Sequence, residues 1–388
     1  MITVVGIGED GWDGLSPDAR ASVEAAQVLM GSARQLDLVP GDFERVTWPS
    51  PMLPALPGLF EAHRHHQVCV LASGDPLFHG IGSTLIRLLG ADRVRVVPHP
   101  SSVSLACARL GWPADEVEVV SLVGKPVELL HPVIHPGRRV LVLGAAPVFV
   151  ADLLHARGYG ASAVTVLERL GGPGERVHTD LTSVDPLHVL AIECAGTAVL
   201  PTVPGLPDDA FEHDGQLTKR EVRAVTLAQL APVPGQLLWD VGAGAGSIAI
   251  EWARVHPTCR AIGFEQHAER AARMVRNARN LGVPGVQVVV GAAPSILSDV
   301  ERPSAVFIGG GLTVPGVVER CWAALLPGGR LVVNAVTMES EAVISQWYSE
   351  LGGDVTRIAI NRGSPIGGFT GWRPHMPVTT WAVTKEDR

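Results

Sequence analysis

The chain has 388 residues, 46% of them hydrophobic and 18% charged, with 43 Gly and 30 Pro. That length predicts two domains with sizeable cores, and that composition a globular, loop-punctuated α/β protein without a disordered signature. A net charge of −8 excludes a chain-wide basic footprint for nucleic acid, so an anionic small substrate would have to meet a local cluster of Arg and Lys.

The first residues, MITVVGIG, enter a strand at once, with no charged n-region or signal-peptide core. The longest apolar run, near VLVLGAAPVFVA, is too short for a bilayer and contains Pro147. A soluble, cytoplasmic protein is expected, with no membrane or nucleic-acid partner, and a homo-oligomer. The five cysteines are scattered without a CxxC pair, which predicts reduced, mostly buried thiols and no metal site.

In the first half the predicted strands are ITVVGIG, QVCVLAS, RVRVVPH, VEVVSLV, RRVLVLG, AVTVLERL and HVLAIEC. Helical patterns alternate with them, implying βαβ units and a largely parallel sheet. Gly6, Gly8 and Gly11 spell GxGxxG, but WDGLSP follows where a dinucleotide site needs its helix to begin. The stretch TAVLPTVPGLPDDAF, with Pro201, Pro204 and Pro207, breaks the periodicity and predicts a linker. The expected division is 1–202 and 203–388.

Beyond the linker the strands are QLLWDVG, CRAIGFE, VQVVVGA, SAVFIGG, GRLVVNAV, VTRIAI and, closing the chain, VTTWAVT. The first ends at Asp240 and runs into Gly242, Gly244 and Gly246 before a helical pattern opens at Ser247. Glycines let the backbone approach a ligand, and a helix N-terminus presents free N–H groups beside it. Glu265, followed by Gln266, ends the second strand, where an acid suits the ribose hydroxyls of an adenosine ligand. The plainer alternative is an ordinary tight turn beside a solvated glutamate. The spacing is GxGxG rather than GxGxxG, so no pyrophosphate cradle is implied.

This turn resembles motif I of the class I methyltransferases. The resemblance continues through GAAP (Gly291 to Pro294, including Ala292), where such enzymes hold adenine, and through VFIGGG, where substrate and methyl group meet. The first half resembles the tetrapyrrole methylases, a class III methyltransferase fold, through VVGIGEDG, LASGDPLFHG, PHPSSVSLACARLGW and ERLGGPGERV. The fold class expected is therefore α/β throughout: a tetrapyrrole methylase fold followed by a Rossmann-like class I methyltransferase fold. The flanks GLPDDAFEHDGQLTKREVR and NRGSPIGGFTGWRPHMPVTTWAV carry the likeness to a family of fused precorrin methyltransferases of cobalamin biosynthesis.

The resemblance implies S-adenosylmethionine as cofactor, with one site per domain, and a small tetrapyrrole as substrate. It implies methylation of precorrin-6B at C5 by the N-terminal domain, and methylation at C15 with loss of the C12 acetate carboxyl by the C-terminal domain, giving precorrin-8X. Cofactor-binding residues would be Gly6, Gly8, Gly74, Asp75, Pro76 and Ser102 in the first half. In the second they would be Asp240, Gly242, Gly244, Gly246, Glu265, Gln266 and Ala292. Catalytic or substrate roles are expected for Thr218, Lys219 and Gly310. Two stretches depart from the family pattern, Ser121–Pro126 and Leu143–Phe149, both near the expected N-terminal cleft. A cobalt-containing substrate and a non-catalytic tetrapyrrole- or cofactor-binding sensor stay open as alternatives.

Other features carry less. His63 and His66 are three apart on a helical pattern, but no acid or Cys joins them, and a solvated face is the better reading. Lys219, Arg220 and Arg223 in KREVR form either a solvated face or a cationic rim for a polycarboxylate, echoed by Arg362 and Arg373. Trp372, in GWRP, is a candidate stacking surface for a macrocycle.

Overall fold

A computed structural model describes residues 1–386. The chain forms two compact units, residues 1–127 with 133–198, and residues 128–132 with 199–388.

The first unit contains two sheets. One is parallel, built from β1 (Ile2–Ile7), β2 (Val28–Gly31), β3 (Glu44–Thr47), β4 (Val68–Ser73) and β5 (Val94–Val97) in the order β3-β2-β4-β1-β5. Side chains alternate along each strand, so Val5, Ile7, Leu29 and Leu71 fill one face while Val4, Met30 and Val70 fill the other. Burial on both faces is what a parallel sheet requires. The sequence did not single out β2 and β3, which are four residues each.

The second sheet comprises β6 (Val117–Ser121), β7 (Arg139–Leu143), β8 (Ala163–Glu168), β9 (Arg176–His178) and β10 (His188–Glu193), ordered β6-β7-β10-β8-β9. Only β6 and β7 are parallel; every other pairing is antiparallel. This corrects the expectation of a largely parallel arrangement. From β8 onward the connections hold no helix, and without a crossover helix neighbouring strands pair as hairpins.

The second unit has a seven-stranded sheet. Its strands are β11 (Leu237–Val241), β12 (Arg260–Glu265), β13 (Gln287–Val290), β14 (Ala305–Ile308), β15 (Arg330–Ala335), β16 (Asp354–Ile358) and, beyond the two-stranded hairpin of β17 (Asn361–Ile366) and β18 (Phe369–Pro374), β19 (Val378–Thr384). The order is β13-β12-β11-β14-β15-β19-β16, with β19 alone antiparallel to its neighbours. Leu238, Ala261, Phe307 and Val332 pack one face under helices; Trp239, Phe264, Ile308 and Val333 pack the other. Strand order reverses between β11 and β14, and a crevice at the carboxyl ends of such strands is where open α/β sheets take ligands.

The proline-rich segment is not loose where it enters this unit. Gly205 and Leu206 donate their backbone N–H groups to Glu251 at 2.5 and 3.0 Å. Arg223, fully buried, donates to the same carboxylate at 2.5 Å, to Asp208 at 3.2 Å and to the carbonyls of Leu206 and Thr218, with Phe211 against its guanidinium. Arg223 is therefore a buried strut and not part of a cationic rim. Helical spacing from Lys219 suggested a shared face, but the burial of Glu251 draws Arg223 inward.

Candidate functional site

In the second unit the turn after β11 takes a left-handed backbone at each of its three glycines, with φ of +72°, +58° and +80° for Gly242, Gly244 and Gly246. A Cβ on Gly242 would sit 2.6 Å from Gly310, so the turn and the Gly309–Gly311 loop pack backbone to backbone. Gly309 N–H closes this contact onto the Val241 carbonyl at 2.9 Å. The glycines are thus needed where two strand ends from the switch point meet.

Glu265 is buried and braces the turn. Its Oε2 accepts from Gly244 N at 2.8 Å and its Oε1 from His267 N at 2.9 Å. The solvated-glutamate alternative does not describe this residue. Asp240 is 1% exposed; Oδ2 accepts from Ala249 N at 3.0 Å, while Oδ1 has no partner. Burial pushes its carboxyl up to about 7, partly offset by the Ala249 N–H and reinforced by the negative Glu265 nearby.

Asp240, Glu265, Gly242 and Gly244 line a cavity of about 770 Å³, with Gln266, Thr218, Lys219 and Gly310 also in its wall, whereas Gly246 lies outside the lining, packed against Met274. Ala292 is exposed and outside the lining, while Gly291 and Ala293 on either side of it contribute. A buried carboxylate oxygen without a donor, beside a second acid, fits a ligand bearing an ammonium and ribose hydroxyls. The same pair of acids would repel a pyrophosphate. The residues present therefore fit S-adenosylmethionine better than a dinucleotide.

Of the rest of the wall, Arg362 was anticipated from sequence as part of a cationic rim, while Asn334, Arg270 and His375 were not. Asn334 reaches the cavity from β15, held by its donation to Thr226 Oγ1 at 2.9 Å and by acceptance from Thr380 Oγ1 at 2.9 Å. Arg362 lines it while paired with Glu221 at 2.6 Å and Asp208 at 3.3 Å; Arg270, also in the wall, pairs with Asp214 at 2.7 Å. His375 follows β18, and its backbone N–H donates to the Ile360 carbonyl at 2.9 Å. Arg373 and Trp372 lie exposed on the hairpin and do not line the cavity. The signal for Arg362 was its place in the tail motif; nothing in local pattern marked Asn334 or His375.

In the first unit, described by itself, the carboxyl ends of β1, β4 and β5 converge. A Cβ on Gly6 would lie 2.2 Å from the Gly74 carbonyl and 2.8 Å from His99, and one on Gly74, at φ +57°, 3.1 Å from Ser101 Cα. The structure thus gathers Gly6, Gly74 and the Ser101–Ser102 helix start, while Gly8 faces His99, whose Nε2 lies 3.3 Å from Asp10. Asp75 Oδ1 accepts from Leu77 N at 2.8 Å, and Pro76 is buried under Gly80 and Gly82. Ser73, just before this loop, accepts from Arg34 and Gln35, each at 2.9 Å. After Gly8 the chain makes a short 3₁₀ turn, and the helix begins only at Pro17, capped by Ser16. The two departing stretches adjoin each other, since a Cβ on Gly144 would meet Val123, and they leave Val123, Val148 and Phe149 exposed.

His63 and His66 lie 5.8 Å apart between ring centroids with their planes tilted by 57°, and Glu44 lies 3.5 Å from His63 Nε2, so an acid does join the pair. Among the described residues no group of three His, Cys, Asp or Glu is arranged to hold a metal ion, and no helix is long and apolar enough to cross a membrane.

The reversed strand order, the glycine turn and the two acids define the second unit as a class I methyltransferase dependent on S-adenosylmethionine. A family model described as "Precorrin methyltransferase domain" matches residues 209–385, and "Tetrapyrrole (Corrin/Porphyrin) Methylases" matches residues 1–185. The chain is 49% identical over 398 residues to a Sinorhizobium sp. protein named precorrin-6Y C(5,15)-methyltransferase [decarboxylating], covering 99% of this chain and 96% of that one. A Mycobacterium tuberculosis protein of the same name is 49% identical over 405 residues, covering 99% and 100%. Among solved structures, the C-terminal domain of precorrin-6Y C5,15-methyltransferase from Rhodobacter capsulatus matches with 43% identity and a TM-score of 0.46, covering 48% of this chain and all (100%) of that one. The chain belongs to the precorrin-6Y C(5,15)-methyltransferase (decarboxylating) family.

Proposed function

We propose that this enzyme methylates metal-free precorrin-6B at C5 and C15 and removes the carboxyl of its C12 acetate, giving precorrin-8X. The observation that carries the reading is the cavity in which Asp240, Glu265 and the glycine turn share one wall with Asn334, Arg362 and His375. Asp240 and Glu265 suit a nucleoside amino acid, and the remaining volume, with Lys219 free of an ion pair among the described residues, suits a polycarboxylate macrocycle. The C-terminal unit (near 203–388) would carry C15 methylation and decarboxylation, and the N-terminal unit (near 1–202) C5 methylation, each with its own cofactor site. The enzyme would work in the cytoplasm as a homo-oligomer, without nucleic acid or membrane.

When bound, S-adenosylmethionine supplies a methyl group already activated on a sulfonium. What remains for the chain is alignment of donor and acceptor at near-attack distance, which requires no strong base. Asp240 and Glu265 would hold the ammonium and the ribose, and Gly242 and Gly310 let the backbone close upon them. Apolar wall residues such as Phe307, Val314 and Val336 exclude water from a carboxylate that must leave. In the N-terminal unit, Gly6, Gly8, Gly74, Asp75, Pro76 and Ser102 would form the equivalent cradle. Turnover of precorrin-6B tests the reading: a non-catalytic sensor would bind both ligands yet form no S-adenosylhomocysteine.

A further inference from the structure

Loss of carbon dioxide from an acetate side chain breaks the bond between its methylene and its carboxyl carbon. The electron pair stays on the macrocycle, and the former methylene becomes a methyl group only after taking up one proton. Whatever the order of methylation and decarboxylation, that proton must be delivered inside the cavity.

The candidates are few, and most are already engaged. Arg270 is paired with Asp214, and Arg362 with Glu221 and Asp208. Guanidinium groups do not give up a proton in proteins. Glu221 is held below the usual carboxylate range by its hydrogen bond from Arg362, so it stays ionised at neutral pH. Glu265 and Asp240 belong to the glycine turn and its helix, where both take backbone N–H groups, and a ligand ammonium beside Asp240 would keep that carboxylate ionised during turnover. Among the described residues, the cavity-lining basic side chains without an ion pair are Lys219 and His375. A lysine ammonium ordinarily keeps its proton near neutral pH, whereas an imidazolium gives it up there.

His375 lies in the wall among apolar residues. Its backbone is tied to Ile360, and its neighbours in the wall, Ile360, Met376 and Val378, are apolar. Apolar side chains beside a carboxylate raise its energy relative to the neutral product, which favours its departure. Lys219 enters from another element, as the residue preceding the helix Arg220–Leu230.

We infer that His375 is a catalytic residue of the decarboxylation, the general acid whose imidazolium protonates the carbon vacated by carbon dioxide. The inference rests on the proposed reaction. The balance is closed: the carboxylate leaves as carbon dioxide, the imidazolium proton becomes the third hydrogen of the new methyl group, and the neutral imidazole regains a proton from solvent. Methyl transfer releases one proton from the macrocycle, so the two steps together need no external acid.

The test uses the full chain with precorrin-6B and S-adenosylmethionine, following product mass and carbon dioxide release. His375→Gln should bind S-adenosylhomocysteine as the unsubstituted protein does, and should still add methyl groups. Its decarboxylation should fall by about a hundredfold or more, the low end of what a positioned acid contributes, so that methylated product retaining the carboxyl accumulates. His375→Gly should behave likewise and recover decarboxylation when imidazole is added. Methylation and decarboxylation falling together in a variant that still binds S-adenosylhomocysteine would overturn the assignment, as would unchanged decarboxylation or no recovery with imidazole. Absence of any methylation or carbon dioxide loss in the unsubstituted protein would instead defeat the proposed reaction itself.

Discussion

Replacing Asp240 by Asn should move ligand affinity and stability in opposite directions. Asp240 has its carboxyl raised from 3.8 to about 7, with burial the largest cause. The folded apo protein therefore holds a proton on this residue between about pH 4 and 7, while the unfolded chain does not. Stability must fall as pH rises through that window and then level off. The whole window corresponds to about 4 kcal/mol. An Asn amide removes this penalty but leaves an N–H₂ group where Oδ1 now has no partner, which costs about 1–3 kcal/mol. At pH 8 the apo variant should thus be stabilised by about 1–3 kcal/mol, and near pH 4 the sign should reverse, leaving it about 1–3 kcal/mol less stable. Affinity runs the other way. A ligand ammonium requires the carboxylate, so binding should release a proton and weaken about tenfold per pH unit below about 7. In the variant the profile should be flat and, at pH 8, about 10- to 100-fold weaker, the loss of one charge-assisted hydrogen bond. Calorimetric titration with S-adenosylhomocysteine reads the affinity in the binding component that Gly242→Val abolishes, and denaturant unfolding at about pH 4 and pH 8 reads the stability. A flat profile in the unsubstituted protein, or the same slope in the variant, would refute the reasoning.

Glu265→Ala should weaken S-adenosylhomocysteine binding about 10- to 100-fold, and loss of its bond to Gly244 should raise amide exchange in the turn; unchanged binding would make the residue only a brace. Titration of the full chain should give two equivalents of S-adenosylhomocysteine, and Gly74→Val, placing a side chain 3.1 Å from Ser101 Cα at positive φ, should remove one of them. Arg223→Met should destabilise the second unit by about 3–5 kcal/mol, since Glu251 would be left buried without its cation; a change in melting below about 1 kcal/mol would contradict that role.

The glycine turn was legible in the sequence because its chemistry is local: strand, three glycines and helix are contiguous, and the acid ends the next strand. Long strands such as β1, β4, β11 and β15 were legible from their apolar runs. The hairpin of β17 and β18 was not, because Gly363, Pro365, Gly367, Gly368 and Gly371 read as loop. A two-stranded sheet with exposed faces tolerates Pro and needs no alternation. Arg223 was misread because helical spacing locates a face but not the buried Glu251 that claims it. Asn334 and His375 reach the cavity through the topology of the sheet and hairpin, which bring residues distant in sequence from Asp240 into one wall. No window of adjacent residues contains that information.

The proposed division of labour between two methyltransferase units in one chain is tested most directly by the mass of the product formed from metal-free precorrin-6B and S-adenosylmethionine. The unsubstituted chain should give a product two methyl groups heavier and one carbon dioxide lighter than the substrate. Gly74→Val should give one methyl group heavier and one carbon dioxide lighter, because the second unit keeps its own cofactor turn and cavity. Retention of the carboxyl in the Gly74 variant, or loss of carbon dioxide in Gly242→Val, would contradict the account.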